Sequence, residues 1–550
     1  MSKHNIGLIA INARYTHVNL ALCYINRILS MENKHNVRLL EFTIHDPLLT
    51  VLSSIEQVRF NTIIFSVYIW NCEFIKKLVP EIKKVLPNTR IICGGPEVSY
   101  NATAWEDIPG IDVIVKGNAE PVIASIIDHP GNQKVIHAPA AEFSTVPFPY
   151  ATDDKKFLVG RTVYYEASRG CACSCSYCVS ALDDQKLSHK SVDTVKQELE
   201  FFFGLDAKII KFVDRTFNIK KEFAREIWQF LIDKRPSVPF HFEIHPLLLE
   251  EEDFKILEQA PENLFHLEIG IQTIHSATLH KINRKGEWNK IQAGVQRLCA
   301  MKNLHTHCDI LVGLPDESSR DIIASINAVF SLLPDHFQPG FLKILPGTDI
   351  NSEKDRYGIT HLDSPPYEVL STRTLSFQDI QYFHKIESLI NILYNSGFFI
   401  HTMRWLIPTH ESPFIFLQDF LGFCLDKIDL SKKQWTSWAE ILLAYCKTFL
   451  ARETEYCIDL LRYDWCPFAN AQHYPACIAE NNKQQTLEFR AKVYEKLNQD
   501  RVSISRQVFN RSILYIPESI KMKKTLSNNL VLFKAGVPKQ KLFISLSHYF

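Results

Sequence analysis

Glycine is scarce in this chain of 550 residues: there are 19, about half of the roughly 7% typical of proteins. Collagen-like, glycine/serine-linker and largely disordered readings are therefore poor. An excess of one charge is lacking too. The 61 Lys and Arg meet 61 Asp and Glu, which argues against a protein drawn as a whole onto nucleic acid or an anionic membrane. No apolar run approaches the roughly 18 residues of a spanning helix. The first one, 6–11, is broken by Asn12 and Arg14, short of the roughly 7–15 residues of a secretory signal core. These absences predict a cytoplasmic protein with no membrane partner.

What the chain does have is bulk and thiols. Apolar residues make up 46%, enough to fill several cores, and at roughly 150 residues per domain the length suggests three to four. There are 14 cysteines. Disulfides are rare in the cytosol, so these are buried thiols, metal ligands, or both.

Residues 1–130 alternate short apolar runs (6–11, 37–42, 62–67, 89–93, 112–115) with helical patterns (18–31, 47–58, 73–86). Five strands alternating with helices predict a doubly wound, Rossmann-like α/β domain with a parallel sheet covered on both faces. Ligands of such sheets lie beyond the carboxyl ends of the strands. The segments there carry Tyr15, Ser66, Tyr68, Trp70, Gly94, Gly95 and Glu97, an aromatic and glycine-bearing set suited to a large flat ligand. Residues 131–160 hold Pro139, Pro147 and Pro149 and read as a linker. A second alternating series follows over 161–360, with strands at 162–167, 208–213, 241–245, 266–272, 307–314 and 337–345. Six β/α units predict a complete or partial parallel barrel with its function at the carboxyl ends of the strands. Residues 361–500 are mainly helical in pattern; Ser376 with Asp379 resembles a capping box. The last segment, 501–550, has β-like runs at 512–516, 530–533 and 542–546 and nine Lys/Arg against one acid, Glu518.

The loop after the first barrel strand reads Gly170-Cys171-Ala-Cys173-Ser-Cys175-Ser-Tyr177-Cys178. The C-x-x-x-C-x-x-C spacing of Cys171, Cys175 and Cys178 arises by chance roughly 0.01 times in a chain of this cysteine content. Iron–sulfur clusters are usually held by four thiolates; three on one loop leave one iron open. Zinc on these four thiols, Cys173 included, is the alternative.

On these residues the segment resembles the radical S-adenosylmethionine (SAM) signature. That resemblance implies a partial (β/α)6 barrel with Cys171, Cys175 and Cys178 on a [4Fe-4S] cluster and SAM on the open iron. It continues through His241-Phe-Glu-Ile-His245, Gly270-Ile-Gln272, Asn283-Arg284 and Asp309-Ile-Leu-Val-Gly-Leu-Pro315. By residue, it implies Tyr177 beside the adenine, Glu243 on the methionine amino group, Arg284 on its carboxylate, and Gln272 and Asp309 on the ribose. A zwitterion needs one carboxylate and one guanidinium, and Arg grips a carboxylate in two-pronged fashion. A doubly wound domain ahead of such a barrel is similar to the cobalamin-binding group of the family, and the chain shares that group's lack of a D-x-H-x-x-G motif. Gly94-Gly-Pro-Glu97 resembles the group's fourth loop. After the fifth strand, where the group commonly carries a Gly-x-Gly-Glu-like segment, this chain reads Gly117-Asn118-Ala119-Glu120. Phe212-Val-Asp-Arg-Thr-Phe-Asn218 marks an uncharacterised branch with a helical carboxyl-terminal extension.

The resemblance implies reductive cleavage of SAM to a 5′-deoxyadenosyl radical, then cobalamin-dependent methylation of an unactivated substrate, with a flavodoxin or ferredoxin as reductant. A cobalamin-assisted rearrangement or cyclisation, radical chemistry without cobalamin, and a non-catalytic iron–sulfur or zinc assembly factor are the alternatives. No substrate class, small molecule or macromolecule, follows from these residues, and no catalytic side chain is singled out. Nucleic acid is not favoured, because the basic tail reads first as a solvated surface. Cys446, Cys457, Cys466 and Cys477, with His473, match no compact metal spacing and read as core thiols.

Overall fold

The computed structural model describes residues 3–139, 142–182, 187–469, 473–479, 483–499, 504, 506–517, 519–526, 529–534 and 540–545. The chain divides into two compact units: Met1–Ser325 with Pro339–Ile380, and Ile326–Gln338 with Gln381–Phe550.

The first unit opens with a six-stranded parallel sheet: β1 Asn5–Asn12, β2 Asn36–Thr43, β3 Thr62–Ser66, β4 Arg90–Gly94, β5 Val113–Lys116 and β6 Val135–His137, in the order β2-β1-β3-β4-β5-β6. Ile6, Leu8 and Ala10 of β1 pack on one face, and Ile9 and Ile11 on the other. Burial on both faces is why these strands read as unbroken apolar runs. β6 is an addition to the five expected strands. Its three residues fall in the proline-bearing stretch read as a linker, too short for any periodicity. The order reverses between β1 and β3, so the switch point of the sheet lies where 12–17 and 66–71 leave it.

The second sheet of this unit is also parallel: β7 Thr162–Tyr165, β8 Ile209–Phe212, β9 Phe240–Ile244, β10 Phe265–Gln272, β11 His305–Val312 and β12 His336–Phe341, hydrogen-bonded in that order. Six parallel strands in sequential order, with helices such as Val192–Glu200, Lys221–Lys234 and Trp288–Ala300 between them, make the expected partial barrel. Its helix-facing core is aromatic, with Phe212, Phe217, Trp228 and Phe242 in mutual contact.

Two buried arginines join the sheets. Arg161 donates to both carboxylate oxygens of Glu41 at 2.7 and 3.1 Å and to the carbonyl of Tyr15 at 2.7 Å. Arg169 donates to Glu120 at 2.6 Å and to both oxygens of Glu166 at 3.0 Å, with its guanidinium over the Phe143 ring.

The second unit is helical, with Ile400–Leu406, Pro413–Cys424, Trp435–Phe449, Thr454–Trp465 and Lys483–Gln499. An antiparallel sheet follows: β13 Ile513–Tyr515, β14 Asn529–Lys534 and β15 Gln540–Ser545. These strands match the β-like runs of the last segment; Leu546, and Arg501, Glu518 and Lys539 of the basic count, lie outside the described residues. Asp464 accepts from the backbone N–H groups of His401 and Thr402 at 3.0 and 2.9 Å and so caps the helix that begins at Ile400. Among the described residues no helix is long and apolar enough to cross a membrane.

Arg169→Met is expected to leave Glu120 and Glu166 buried without their cation and to cost about 3–5 kcal/mol, read from denaturant unfolding of the apo chain.

Candidate functional site

One side chain locks the switch point of the first sheet. Asn71, fully buried, donates to the carbonyls of Ile11 and Ser66, both at 3.0 Å, and accepts from the N–H of Tyr68 at 2.8 Å. The ends of β1 and β3 are thereby pinned together and the loop after β3 is held out. On that loop Tyr68 and Trp70 stack, with centroids 4.3 Å apart and planes 8° from parallel. Trp70 is 48% exposed and Tyr15, after β1, 73%. Ser66 is buried. Gly94 and Gly95 end β4, and a Cβ on Gly95, at φ +106°, would stand 2.6 Å from the Val67 carbonyl oxygen. The expected segments therefore leave the carboxyl ends of adjacent strands, with the Tyr68–Trp70 stack and the Gly94-Gly95 turn on neighbouring loops. Glu97 behaves differently: it is buried and accepts from the Tyr367 hydroxyl at 2.5 Å. Glu120, in the segment that departs from the group's motif, is committed to Arg169.

The cysteine loop leaves β7 through Ser168–Arg169, which pairs antiparallel with Ser188–His189 and closes the loop's base. Asp214, at the end of β8, accepts from the Ala167 N–H at 3.0 Å and the Ser168 hydroxyl at 2.5 Å. Thr216 Oγ1 lies 3.8 Å from Cys171 Sγ, and the Cys173 N–H donates to that sulfur at 3.4 Å. On the other side Asn283 donates to the Ser174 carbonyl at 2.8 Å, and the Ser176 N–H to the Ile282 carbonyl at 3.0 Å. Arg284 spans the gap, donating through Nη1 to Cys175 Sγ at 3.7 Å and through Nη2 to the Gly270 carbonyl at 2.5 Å.

Glycine is required at 270. A Cβ there would lie 2.6 Å from Gln272 Nε2 and 3.3 Å from Arg284 Nη2. Gln272 itself sits at φ +70° beside a register shift in β10, which folds its side chain back over Gly270. Gln272, Arg284 and the cysteine loop are thus brought together. Glu243 is Cα partner to Glu268 across β9 and β10, and Gly270 to Asp309 across β10 and β11, so Glu243 and Asp309 lie on the same barrel face.

Electrostatics differ along the loop. Hydrogen bonding from Cys173 draws the Cys171 thiol down to about 6. Burial pushes Cys175 up, and the Arg284 guanidinium opposes it. Burial also raises the half-buried Tyr177. Glu243 is pushed up to about 7 by burial and by Glu268; burial raises Asp309 against the pull of His307. Among the described residues, no three thiols lie within 4.8 Å of one another. Thiolates on a single zinc stand about 3.8 Å apart at 2.3 Å bond lengths. As it stands, the loop does not bring three thiols to that separation. In the tail, Cys446, Cys457 and Cys466 are buried, and no described set of three there converges on a metal site.

Sequence pattern did not single out Asn71 or Asp214, which shape the loops but carry no chemistry of their own. Asp214 lies in the Phe212–Asn218 run, where Asn218 also pairs reciprocally with the backbone of His245 at 3.0 and 2.9 Å. The structural purpose of that run, bracing the cysteine loop, appears only in three dimensions.

With this geometry in view, the comparisons are specific. Residues 6–127 match the B12 binding domain, 165–329 the radical SAM superfamily, and 355–530 a protein of unknown function model, DUF4080. The cobalamin-dependent radical SAM methyltransferase TokK of Streptomyces tokunonensis is 23% identical over 332 residues, covering 54% of this chain and 49% of that protein. The 2-(S-pantetheinyl)-carbapenam-3-carboxylate methyltransferase of Streptantibioticus cattleyicolor is 23% identical over 299 residues, covering 48% and 44%. The chain thus spans about half the length of the curated relatives it matches. The fold is shared with the cobalamin-dependent SAM radical enzyme OxsB, solved with aqua-cobalamin and SAM, at TM-score 0.58 and 13% identity over 93% of this chain and 82% of that one. It is shared too with the radical SAM methyltransferase TsrM of Kitasatospora setae, at TM-score 0.55 and 16% identity over 68% and 82%. The chain therefore carries a B12-binding-type domain ahead of a radical-SAM-type domain, and it is similar to the radical SAM enzymes that share this arrangement.

Burial raises the Asp214 carboxyl to about 7 in the folded chain, above its unfolded value of roughly 3.9. The folded state therefore holds a proton that the unfolded state releases. This contribution to stability is fully present below about pH 4 and is lost as pH rises to about 7. Asp214→Asn does not titrate. Its unfolding free energy relative to wild type should climb from pH 4 to 7 and then level off, as measured by denaturant unfolding of the apo chain.

Proposed function

We propose that this protein binds a [4Fe-4S] cluster and SAM in the barrel, binds cobalamin on the N-terminal domain, and methylates an unactivated substrate. The observation that carries the reading is the loop of Cys171, Cys175 and Cys178 with Arg284 braced between Cys175 and the Gly270 carbonyl. When bound, the cluster supplies one electron that splits SAM into methionine and a 5′-deoxyadenosyl radical, and the corrin supplies a methyl group.

The residues present suit both groups. Three thiols, one already biased toward thiolate, match the donor chemistry of iron–sulfur centres. The stacked Tyr68 and Trp70 beside Gly94 and Gly95, with Tyr15 and Ser66 on the neighbouring strand ends, suit a flat macrocycle. Glu97 is instead buried and committed to the Tyr367 hydroxyl.

Arg284 pairs with the methionine carboxylate and Glu243 takes the amino group, so the zwitterion is oriented by opposite charges on either side. Asp309 and Gln272 accept from the ribose hydroxyls, and Tyr177 lies beside the adenine. Within this reading the domains are 1–130, a linker at 131–160, the barrel at 161–360, helices at 361–500 and a basic segment at 501–550. The protein works in the cytoplasm, with a flavodoxin- or ferredoxin-type reductant as partner.

Anaerobic reconstitution should give broad cluster absorbance that is lost in Cys175→Ala. With reductant and SAM the wild type should release 5′-deoxyadenosine; cluster absorbance without any such release would overturn the radical reading. Hydroxocobalamin should be retained through gel filtration by wild type and lost by Tyr68→Ala/Trp70→Ala. Failure of the wild type to retain it would remove cobalamin from the proposal.

A pH profile tests Glu243. Below about pH 7 its carboxyl holds a proton that the ligand's amino group must displace. SAM affinity should therefore rise from pH 5.5 to 7, by up to about tenfold per unit, and the rise should be absent in Glu243→Gln.

A further inference from the structure

The barrel interior holds a set of ligating side chains that the reading above leaves unused. His241 on β9, Glu268 on β10 and His307 on β11 come from three adjacent parallel strands. Glu268 and His307 are Cα partners in register. One potential ligand atom from each lies within 4.8 Å of the other two, and this is the only such group of three His, Cys, Asp or Glu residues among the described residues. His241 Nε2 already stands 3.0 Å from Glu268 Oε2, about the separation of two donors on one ion with bonds near 2.1 Å. A small closure of the His307 side completes the triangle.

We propose that His241, Glu268 and His307 form a divalent metal site inside the barrel, distinct from the cysteine loop. Two imidazoles and one carboxylate are an N/N/O donor set, which suits Zn²⁺, Fe²⁺, Co²⁺ or Mn²⁺. Three further observations agree. First, His241 is 8% exposed and its Nε2 faces Glu268 Oε2, so an imidazole and a carboxylate donor are already held together inside the barrel. Second, His307 Nε2 lies 2.9 Å from Asp309 Oδ1. A carboxylate on the imidazole is the usual device that fixes the tautomer and orientation of a metal-binding histidine. Third, Lys211 Nζ stands 3.1 Å from Glu268 Oε2, so a cation already occupies the carboxylate edge that a metal would use. A divalent ion displaces Lys211, which serves as the metal-free counter-ion. None of the three ligands is assigned to SAM, while Asp309, the partner of His307, is shared with the SAM reading.

The test is metal binding by the full chain. With the [4Fe-4S] cluster in place under anaerobic conditions, Mn²⁺ is titrated and the loss of its free six-line EPR signal is followed. In a Cys171→Ser/Cys175→Ser/Cys178→Ser chain, Co²⁺ is followed by its visible absorption. One ion per chain is expected in each, with no sulfur-to-cobalt charge-transfer band. His241→Ala and Glu268→Gln should weaken binding by more than about 100-fold, beyond the 10–100-fold cost of losing an outer partner. Lys211→Met should tighten binding several-fold, because it removes the competing ammonium. A purely structural ion pair predicts the opposite for Lys211→Met: lower thermal stability and no metal uptake. Should His241→Ala fail to fold, the sign of the Lys211→Met effect still decides. Absence of stoichiometric binding in both wild type and Lys211→Met, or binding that survives folded Glu268→Gln, overturns the site.

Discussion

The guanidinium of Arg169 is the interaction on which the arrangement of the first unit turns. It sits one residue before the glycine that opens the cysteine loop, and it donates at once to Glu120, beyond β5, and to Glu166, at the end of β7. Phe143 and Tyr24 shield it. Two carboxylates and one guanidinium removed from water are tolerable only together. The base of the loop is therefore registered against the strand ends of the first sheet rather than left to a tether.

From that anchor the loop is held by contacts that demand little of its own sequence. Asp214 fixes its entry, Asn283 and the Ile282 carbonyl fix its far side, and Arg284 reaches over Gly270 to Cys175. Small or backbone groups do most of this. Hydrogen bonds to surrounding strand ends, rather than the loop's own packing, set its path.

The barrel interior shows the opposite economy. Lys211, His241, Glu243, Glu268, His307 and Asp309 line neighbouring strands, and their charges are settled mainly among themselves. An interior this polar has a chemical rather than a packing purpose, since apolar side chains of equal volume would fill it more stably. In the second unit, aromatic rings gather around Tyr445, and Lys521 and Lys541 lie over aromatic rings. Its buried tail cysteines behave as core, with Cys466 donating to the Arg462 carbonyl one helical turn back.

Much of this was legible from the chain alone. Apolar runs placed five strands of the first sheet, because parallel strands buried on both faces leave them unbroken, and short β-like runs between helical patterns placed the six of the second. The C-x-x-x-C-x-x-C spacing marked Cys171, Cys175 and Cys178, because a ligand loop must satisfy local geometry that short spacing records. β6 was hidden, since three residues between prolines carry no period. Asn71, Asp214 and the His241–Glu268–His307 set were hidden for another reason: each matters through partners brought together from separate strands or loops, and separations of that size leave no trace in a pattern. The linear order of residues thus determined which elements form and which thiols share a loop. Only the tertiary structure decided which charges meet, because that depends on strand register and on the burial that makes an unpaired charge costly.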